Sequence, residues 1–185
     1  MKRRELLAGI GALGVFGTGA AYHFGAVEAD MLPGVGEEED DDVIEPLELS
    51  RIDAPGSDPG TEVVPEEGTV TYVAFFATWC GTCATKMESL GEAAATVADD
   101  EDVQFVSVTS EALGQTVTED DVVEWWEDHD GNWTVAHDES LDLTMAVDAG
   151  GVPYSAVIDA DNELVWSAPG YKTADELLDA IDEAR

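Results

Sequence analysis

Basic residues are scarce in this chain. Seven Lys and Arg stand against 42 Asp and Glu in 185 residues, for a formal net charge of −35. Lysine is reduced to Lys2, Lys86 and Lys172. Without a basic patch, nucleic acid is excluded as a partner. Acidity of this degree goes with disorder when apolar residues are also scarce. Here they make up 44% of the chain and fall in periodic segments, so a folded domain with a densely acidic surface is expected. This is the halophilic pattern: carboxylates keep the protein hydrated in concentrated salt. Self-repulsion weakens the compact state in dilute buffer, whereas at molar salt a Debye length of about 3 Å screens it. Cysteine is scarcer still, at two residues, Cys80 and Cys83. A structural zinc site needs four ligands; His129 and His137 would have to complete it, and no second ligand pair has the usual close spacing. No internal repeat is visible.

The amino end reads as a targeting segment, to be kept out of fold reasoning. Lys2, Arg3 and Arg4 precede Leu6 to Val27, which carries no formal charge. Arg3-Arg4-Glu5-Leu6-Leu7 resembles a twin-arginine export motif. Some 20 apolar residues also suffice to span a bilayer, so residues 1–27 are expected to be an export signal or a membrane anchor, with the cations kept inside. No cysteine follows this stretch, which excludes bacterial-type lipid attachment. Residues 28–45, with the acidic run Glu37 to Asp42, read as a solvated linker, and residues 46–185 as the folded domain.

Within that domain, Val43 to Ile52 alternates loosely and suggests an early strand or hairpin arm, and Asp53 to Gly60 a turn region. Val70 to Ala77 and Val103 to Thr109 read as buried strands. After the cysteines, Cys83, Met87, Leu90, Ala94 and Val97 share one face of a helix. Thr118 to His129 is a second helix, capped by Thr118, with Val122, Val123 and Trp126 facing inward. Thr134 to Ala136 is a short strand and Ser140 to Val147 a short helix. Tyr154 to Asp159 and Glu163 to Ser167 form a hairpin across Ala160-Asp161-Asn162. Thr173-Ala174-Asp175-Glu176 is a capping-box pattern opening a last helix that buries Leu177, Leu178 and Ile181. The order β-α-β-α-β-α-β-β-α implies a mixed α/β sheet with helices on both faces.

The two cysteines stand in Ala77-Thr78-Trp79-Cys80-Gly81-Thr82-Cys83, between a buried strand and an amphipathic helix. A Cys-x-x-Cys at a strand-to-helix turn can cycle between dithiol and disulfide. Trp79-Cys80-Gly81-Thr82-Cys83, the loop Gly151-Val152-Pro153-Tyr154 before the penultimate strand, and the Asp161-Asn162 hairpin followed by Ala168-Pro169-Gly170 together resemble the thioredoxin superfamily. The 73 positions from Cys80 to Pro153 and the exported-looking N-terminus resemble its TlpA/ResA-like branch. The resemblance implies an α/β thioredoxin-like fold: a central mixed sheet flanked by helices, with an inserted strand–helix and an N-terminal arm. It implies an extracytoplasmic thiol–disulfide oxidoreductase acting on protein disulfide or dithiol clients, with a membrane redox donor as a further partner and no cofactor or metal.

Three positions depart from the family pattern. Ala74 stands where thioredoxins carry a buried aspartate, Thr82 where they carry proline, and Lys86 where ResA-like proteins can carry a functional glutamate. Proton handling is therefore unassigned. Lys86, the only cation close to the cysteines in sequence, is a candidate to stabilise a thiolate, but reads first as a solvated surface residue.

At a helix N-terminus Cys80 is placed to be a thiolate nucleophile, and Cys83, one turn in, the resolving thiol. Gly81 and Thr82 tune the pair. Pro153, cis by resemblance, presents a backbone edge at Val152 to an extended client; Trp79 covers one side of the site and Tyr154 lines the groove. Four rival readings remain. One is a structural disulfide, whose small loop stabilises little, and another is the zinc site above. The third is a Sco-like copper-binding module using His137, though its cysteines normally lie three residues apart. The last is a peroxiredoxin, whose proline-bearing motif the run Ala77-Thr78-Trp79-Cys80 does not match. The client and the direction of electron flow stay open.

Overall fold

The computed structural model describes residues 43–185. The expected export segment 1–27, the twin-arginine-like motif and the acidic run Glu37 to Asp42 lie outside the described residues. Among the described residues no helix is long and apolar enough to cross a membrane.

Eleven elements follow one another in the described part: β1 (Leu47–Arg51), β2 (Gly60–Val64), β3 (Val70–Phe76), α1 (Gly81–Val97), β4 (Val103–Thr109), α2 (Glu119–Asp128), β5 (Thr134–His137), α3 (Asp142–Ala146), β6 (Tyr154–Ile158), β7 (Leu164–Pro169) and α4 (Ala174–Glu183). One seven-stranded sheet has the order β2-β1-β5-β4-β3-β6-β7. β3 pairs in parallel with β4 and β4 with β5, and the remaining pairs are antiparallel. The mixed sheet expected from the sequence is therefore present. β3, an interior strand between β4 and β6, is buried along its whole length, as a strand covered on both faces must be.

Side-chain alternation divides the core in two. Tyr72, Ala74 and Phe76 face α1, α4, Val122 and Trp126 of α2, and Trp133. Val73 and Phe75 face the other way, against Leu143 and Val147, with Ile44, Leu49 and Val64 from the N-terminal arm. α1 buries Cys83, Met87, Leu90, Ala94 and Val97, as its spacing predicts. Both expected capping residues serve: Thr118 and Thr173 each exchange hydrogen bonds with the third residue of their helix, Asp121 and Glu176. Val123 and Leu178 are only partly buried.

Three differences concern the arm and the short elements. The segment read as a turn runs into a strand, β2, which pairs with β1 from Leu47↔Val64 to Arg51↔Gly60. Packing also begins ahead of position 46: Val43 bridges to Glu163, and Ile44, 2% exposed, donates to the Asn162 carbonyl. β5 runs one residue past the expected strand, so that His137 ends it opposite Thr109.

Candidate redox site

β3 ends at Phe76, and the chain turns through Ala77 to Trp79 before α1 begins. Cys80 is the N-cap of α1, its Sγ accepting the Cys83 N–H at 3.1 Å. The two sulfurs are joined as a disulfide, with Cα atoms 5.2 Å apart. Cys80 is 7% exposed and Cys83 2%, while Gly81 and Thr82 between them are exposed. Approach to the pair is therefore over Gly81 and Thr82 and past Trp79, which is 73% exposed.

The field at this point is favourable to an anion. The first turn of α2 carries three acidic residues and that of α4 two, the usual compensation of the positive helix end. The first turn of α1 carries none, in a chain with 42 acidic residues. The orphan N–H groups and dipole of a 17-residue helix are left to the sulfur at its cap. A thiolate formed on Cys80 meets that field with no nearby carboxylate in the turn to oppose it.

The loop carrying Cys80 is tied from behind by Glu111, a residue the sequence reading did not single out. Its carboxylate accepts from the Thr78 N–H and the Thr78 hydroxyl, both at 2.8 Å, and from the Thr109 hydroxyl at 3.2 Å. The Glu111 carbonyl in turn accepts from His137 Nε2 at 2.9 Å. No local pattern marks Glu111; only the parallel pairing of β3 with β4 brings Thr109 level with Phe76 and so Glu111 level with Thr78. This also occupies His137 with a backbone carbonyl. Among the described residues no group of three or more His, Cys, Asp or Glu is arranged to hold a metal.

Lys86 is not the solvated surface residue expected. It is 1% exposed, lying on the inner face of α1 between Cys83 and Met87. Its Nζ donates to Ser155 Oγ, and the same hydroxyl is hydrogen-bonded to Tyr72 OH at 2.7 Å. Burial, with Lys172 nearby as a lesser cause, lowers the Lys86 ammonium from 10.5 to about 8. Burial likewise pushes the Tyr72 phenol well above its ordinary value, against the opposing hydrogen bond from Ser155. Ser155 pairs directly with Ala74 across β3 and β6. Beside the residue where thioredoxins carry a buried acid, this chain therefore sets a buried hydroxyl, phenol and amine.

The Val152–Pro153 peptide is cis; so is Val64–Pro65, which the sequence reading did not foresee. Pro153 is buried, and its carbonyl accepts from Gly170 N–H at 2.8 Å. Among the described residues, Val152 makes no main-chain hydrogen bond, so it supplies the free backbone edge of this loop. Tyr154 does not line a groove on the cysteine side. It pairs with Phe75 and packs edge-on against that ring, 6.3 Å between centroids, on the opposite face of the sheet. Its hydroxyl donates to Ser167 Oγ at 2.9 Å. The alternation of β6 gives the cysteine face to Ser155 instead.

A Cys-x-x-Cys disulfide capping a helix, on a mixed sheet of this order and with a cis-proline loop ahead of β6, defines a thioredoxin-fold thiol–disulfide oxidoreductase. The chain belongs to the Redoxin family, whose profile matches residues 56–181. No curated protein sequence matches it. Among solved structures, it is similar to the pneumococcal exposed lipoprotein thioredoxin of Streptococcus pneumoniae, with 26% identity, a TM-score of 0.63, and coverage of 75% of this chain and 99% of that one. StoA from Bacillus subtilis shares the fold at 16% identity and a TM-score of 0.62, covering 75% of this chain and 97% of that one. A secreted Mycobacterium tuberculosis disulfide oxidoreductase shares it at 16% identity and 0.60, covering 74% and 95%. These three share the thioredoxin-like fold expected from the sequence.

Proposed function

We propose that this chain exchanges protein disulfides outside the cytoplasm through Cys80-Gly81-Thr82-Cys83, with Cys80 as nucleophile and Cys83 as resolving thiol. The observation that carries the reading is the cap geometry. Cys80 Sγ accepts the Cys83 N–H at the start of a helix whose first turn has no acidic residue. In the reducing direction the Cys80 thiolate attacks a client disulfide, one client sulfur leaves, and a mixed disulfide forms. Cys83 then attacks Cys80 Sγ, the second client sulfur departs and takes up a proton, and the Cys80–Cys83 disulfide remains.

The client is a protein strand laid along the exposed Trp79, Gly81 and Thr82 and the free Val152 edge beside Pro153. Export through residues 1–27, with residues 28–45 as tether and residues 6–27 as a possible span, accords with the words "exposed lipoprotein" and "secreted" that describe two of the similar structures. The acidic surface fits work in concentrated salt, and a membrane dithiol donor would re-reduce the pair.

The test is disulfide reduction of insulin by the full chain in concentrated salt. Cys80→Ser is expected to abolish it, and Cys83→Ser to accumulate mixed disulfides. Full activity in either variant contradicts the assignment.

A further inference from the structure

Lys86 is anomalous in two ways. The described part contains four cations, Arg51, Lys86, Lys172 and Arg185. Among the described residues the salt bridges are made by the two arginines alone, Arg51 with Glu62 and Arg185 with Asp100 and Asp182. In so acidic a chain, the most deeply buried cation thus has no carboxylate in a salt bridge; Lys172, the other lysine without one, donates to the Pro169 and Tyr171 carbonyls instead. An ammonium removed from water and answered only by a hydroxyl is costly. Met87 and Leu90 are buried beside it on α1, and an apolar side chain at 86 would avoid the cost.

The position suggests what offsets it. Residues three apart on a helix have Cβ atoms about 5–6 Å apart on one face, and long side chains lean back toward the N-terminus. Lys86 follows Cys83 by three positions on the buried face of α1, and its Nζ reaches Ser155 Oγ on β6. The other titratable groups facing it are Tyr72 from β3 and Lys172 from the segment leading into α4; β6 contributes the neutral Ser155 and Ala74 adds nothing polar. Glu176 of α4, the carboxylate near Lys172, is engaged with the Thr173 N–H and hydroxyl. Opening the disulfide frees two thiols, Cys80 at the cap of α1 and Cys83 on the buried face that Lys86 shares, so Cys83 is the group on that face that can become a new anion.

We propose that Lys86 is the counter-charge of the reduced site: its ammonium, anchored on Ser155, whose hydroxyl is bonded in turn to Tyr72, is unpaired in the disulfide state and pairs with the Cys83 thiolate after reduction. This deepens the oxidoreductase reading and rests on it. In resolution of a mixed disulfide, Cys83 gives its proton to the medium and stands as a thiolate beside Lys86. Its electron pair forms the bond to Cys80 Sγ while the Cys80–client bond breaks. The client sulfur leaves with that electron pair and takes a proton from the medium, and Lys86 again has no anionic partner. Lys86 is a positioning residue for charge, and it favours the dithiol form over the disulfide.

The test is equilibration of the full chain with reduced and oxidised glutathione at pH 7, scored by thiol alkylation, for the unmodified protein, Lys86→Met and Lys86→Arg. Methionine keeps the length and fills the core; arginine keeps the charge. Lys86→Met is expected to shift the equilibrium at least tenfold toward the disulfide, about 30 mV, and Lys86→Arg to shift it less. A second measurement needs no Lys86 variant to fold: in Cys80→Ser, the ultraviolet thiolate signal of Cys83 is expected to titrate below the ordinary thiol value. A folded Lys86→Met with an unchanged equilibrium, or a Cys83 thiol that titrates at or above its ordinary value, overturns the proposal and leaves the oxidoreductase reading standing. If the unmodified chain does not exchange with glutathione at all, both are overturned.

Discussion

Replacing Lys86 by Met should make the disulfide form more stable at neutral pH, although it deletes a buried side-chain hydrogen bond. The Lys86 ammonium falls from 10.5 to about 8 on folding, chiefly by loss of water around the charge. At about 1.4 kcal/mol per pKa unit, that drop corresponds to a penalty of about 3 kcal/mol carried by the folded state below pH 8. The sign follows from proton counts. Below pH 8 both states hold the proton and the penalty is complete. Between pH 8 and 10.5 the unfolded chain still binds the proton while the folded chain releases it, so stability rises with pH. Tyr72 reverses the slope above about pH 10, because its phenol ionises more readily in the unfolded chain. The unmodified protein should therefore be most stable near pH 10. Lys86→Met should gain about 1–3 kcal/mol at pH 7, the range seen when buried charges give way to apolar side chains, and nothing near pH 10. The assay is urea unfolding of the oxidised full chain at constant high salt from pH 7 to 10. A variant less stable than the parent at pH 7, or a parent whose stability is flat from pH 8 to 10, would refute the reasoning.

Other consequences are open to similar checks. Glu111→Ala leaves the Thr78 N–H and two hydroxyls without their acceptor. It should cost about 2–4 kcal/mol in chemical unfolding and slow insulin reduction by loosening the turn before Cys80, with Glu111→Gln recovering part of both. Gly131→Ala puts a methyl group inside the contact surface of the Trp126 indole, which is fully buried and donates to the Pro55 carbonyl. A loss of about 1–3 kcal/mol is expected, read as a lower urea midpoint with unchanged redox chemistry. Trp79→Ala should leave stability within about 0.5 kcal/mol, as at most exposed positions, yet raise KM for protein disulfides; an unchanged KM would remove Trp79 from the client surface.

The parts of the fold that were legible in the sequence are those fixed by local periodicity and chemistry. β3 is apolar but for Thr71 because both its faces are covered, and α1 announces its buried face through Cys83, Met87, Leu90, Ala94 and Val97. Thr118 and Thr173 carry capping patterns that act within four residues. What escaped depends on contacts distant in sequence. β2 lies in a short stretch whose only reason to be extended is its partner β1. Glu111 meets Thr78 across the β3–β4 pairing. Lys86 reads as a surface cation until Ser155, 69 residues away and itself bonded to Tyr72, is seen to receive it. Tyr154 and Ser155 face opposite ways by strand alternation, but only the register of β6 on β3 says which of them shares a face with the cysteines.

The central claim, that Cys80 and Cys83 form a working redox pair, is tested most directly by the reduction potential of the full chain in concentrated salt. The account predicts reversible two-electron cycling at a value between about −270 and −120 mV, the span from thioredoxin-like reductants to strong disulfide donors. A pair that resists reduction below about −300 mV, where structural disulfides lie, or that does not cycle at all, would contradict it.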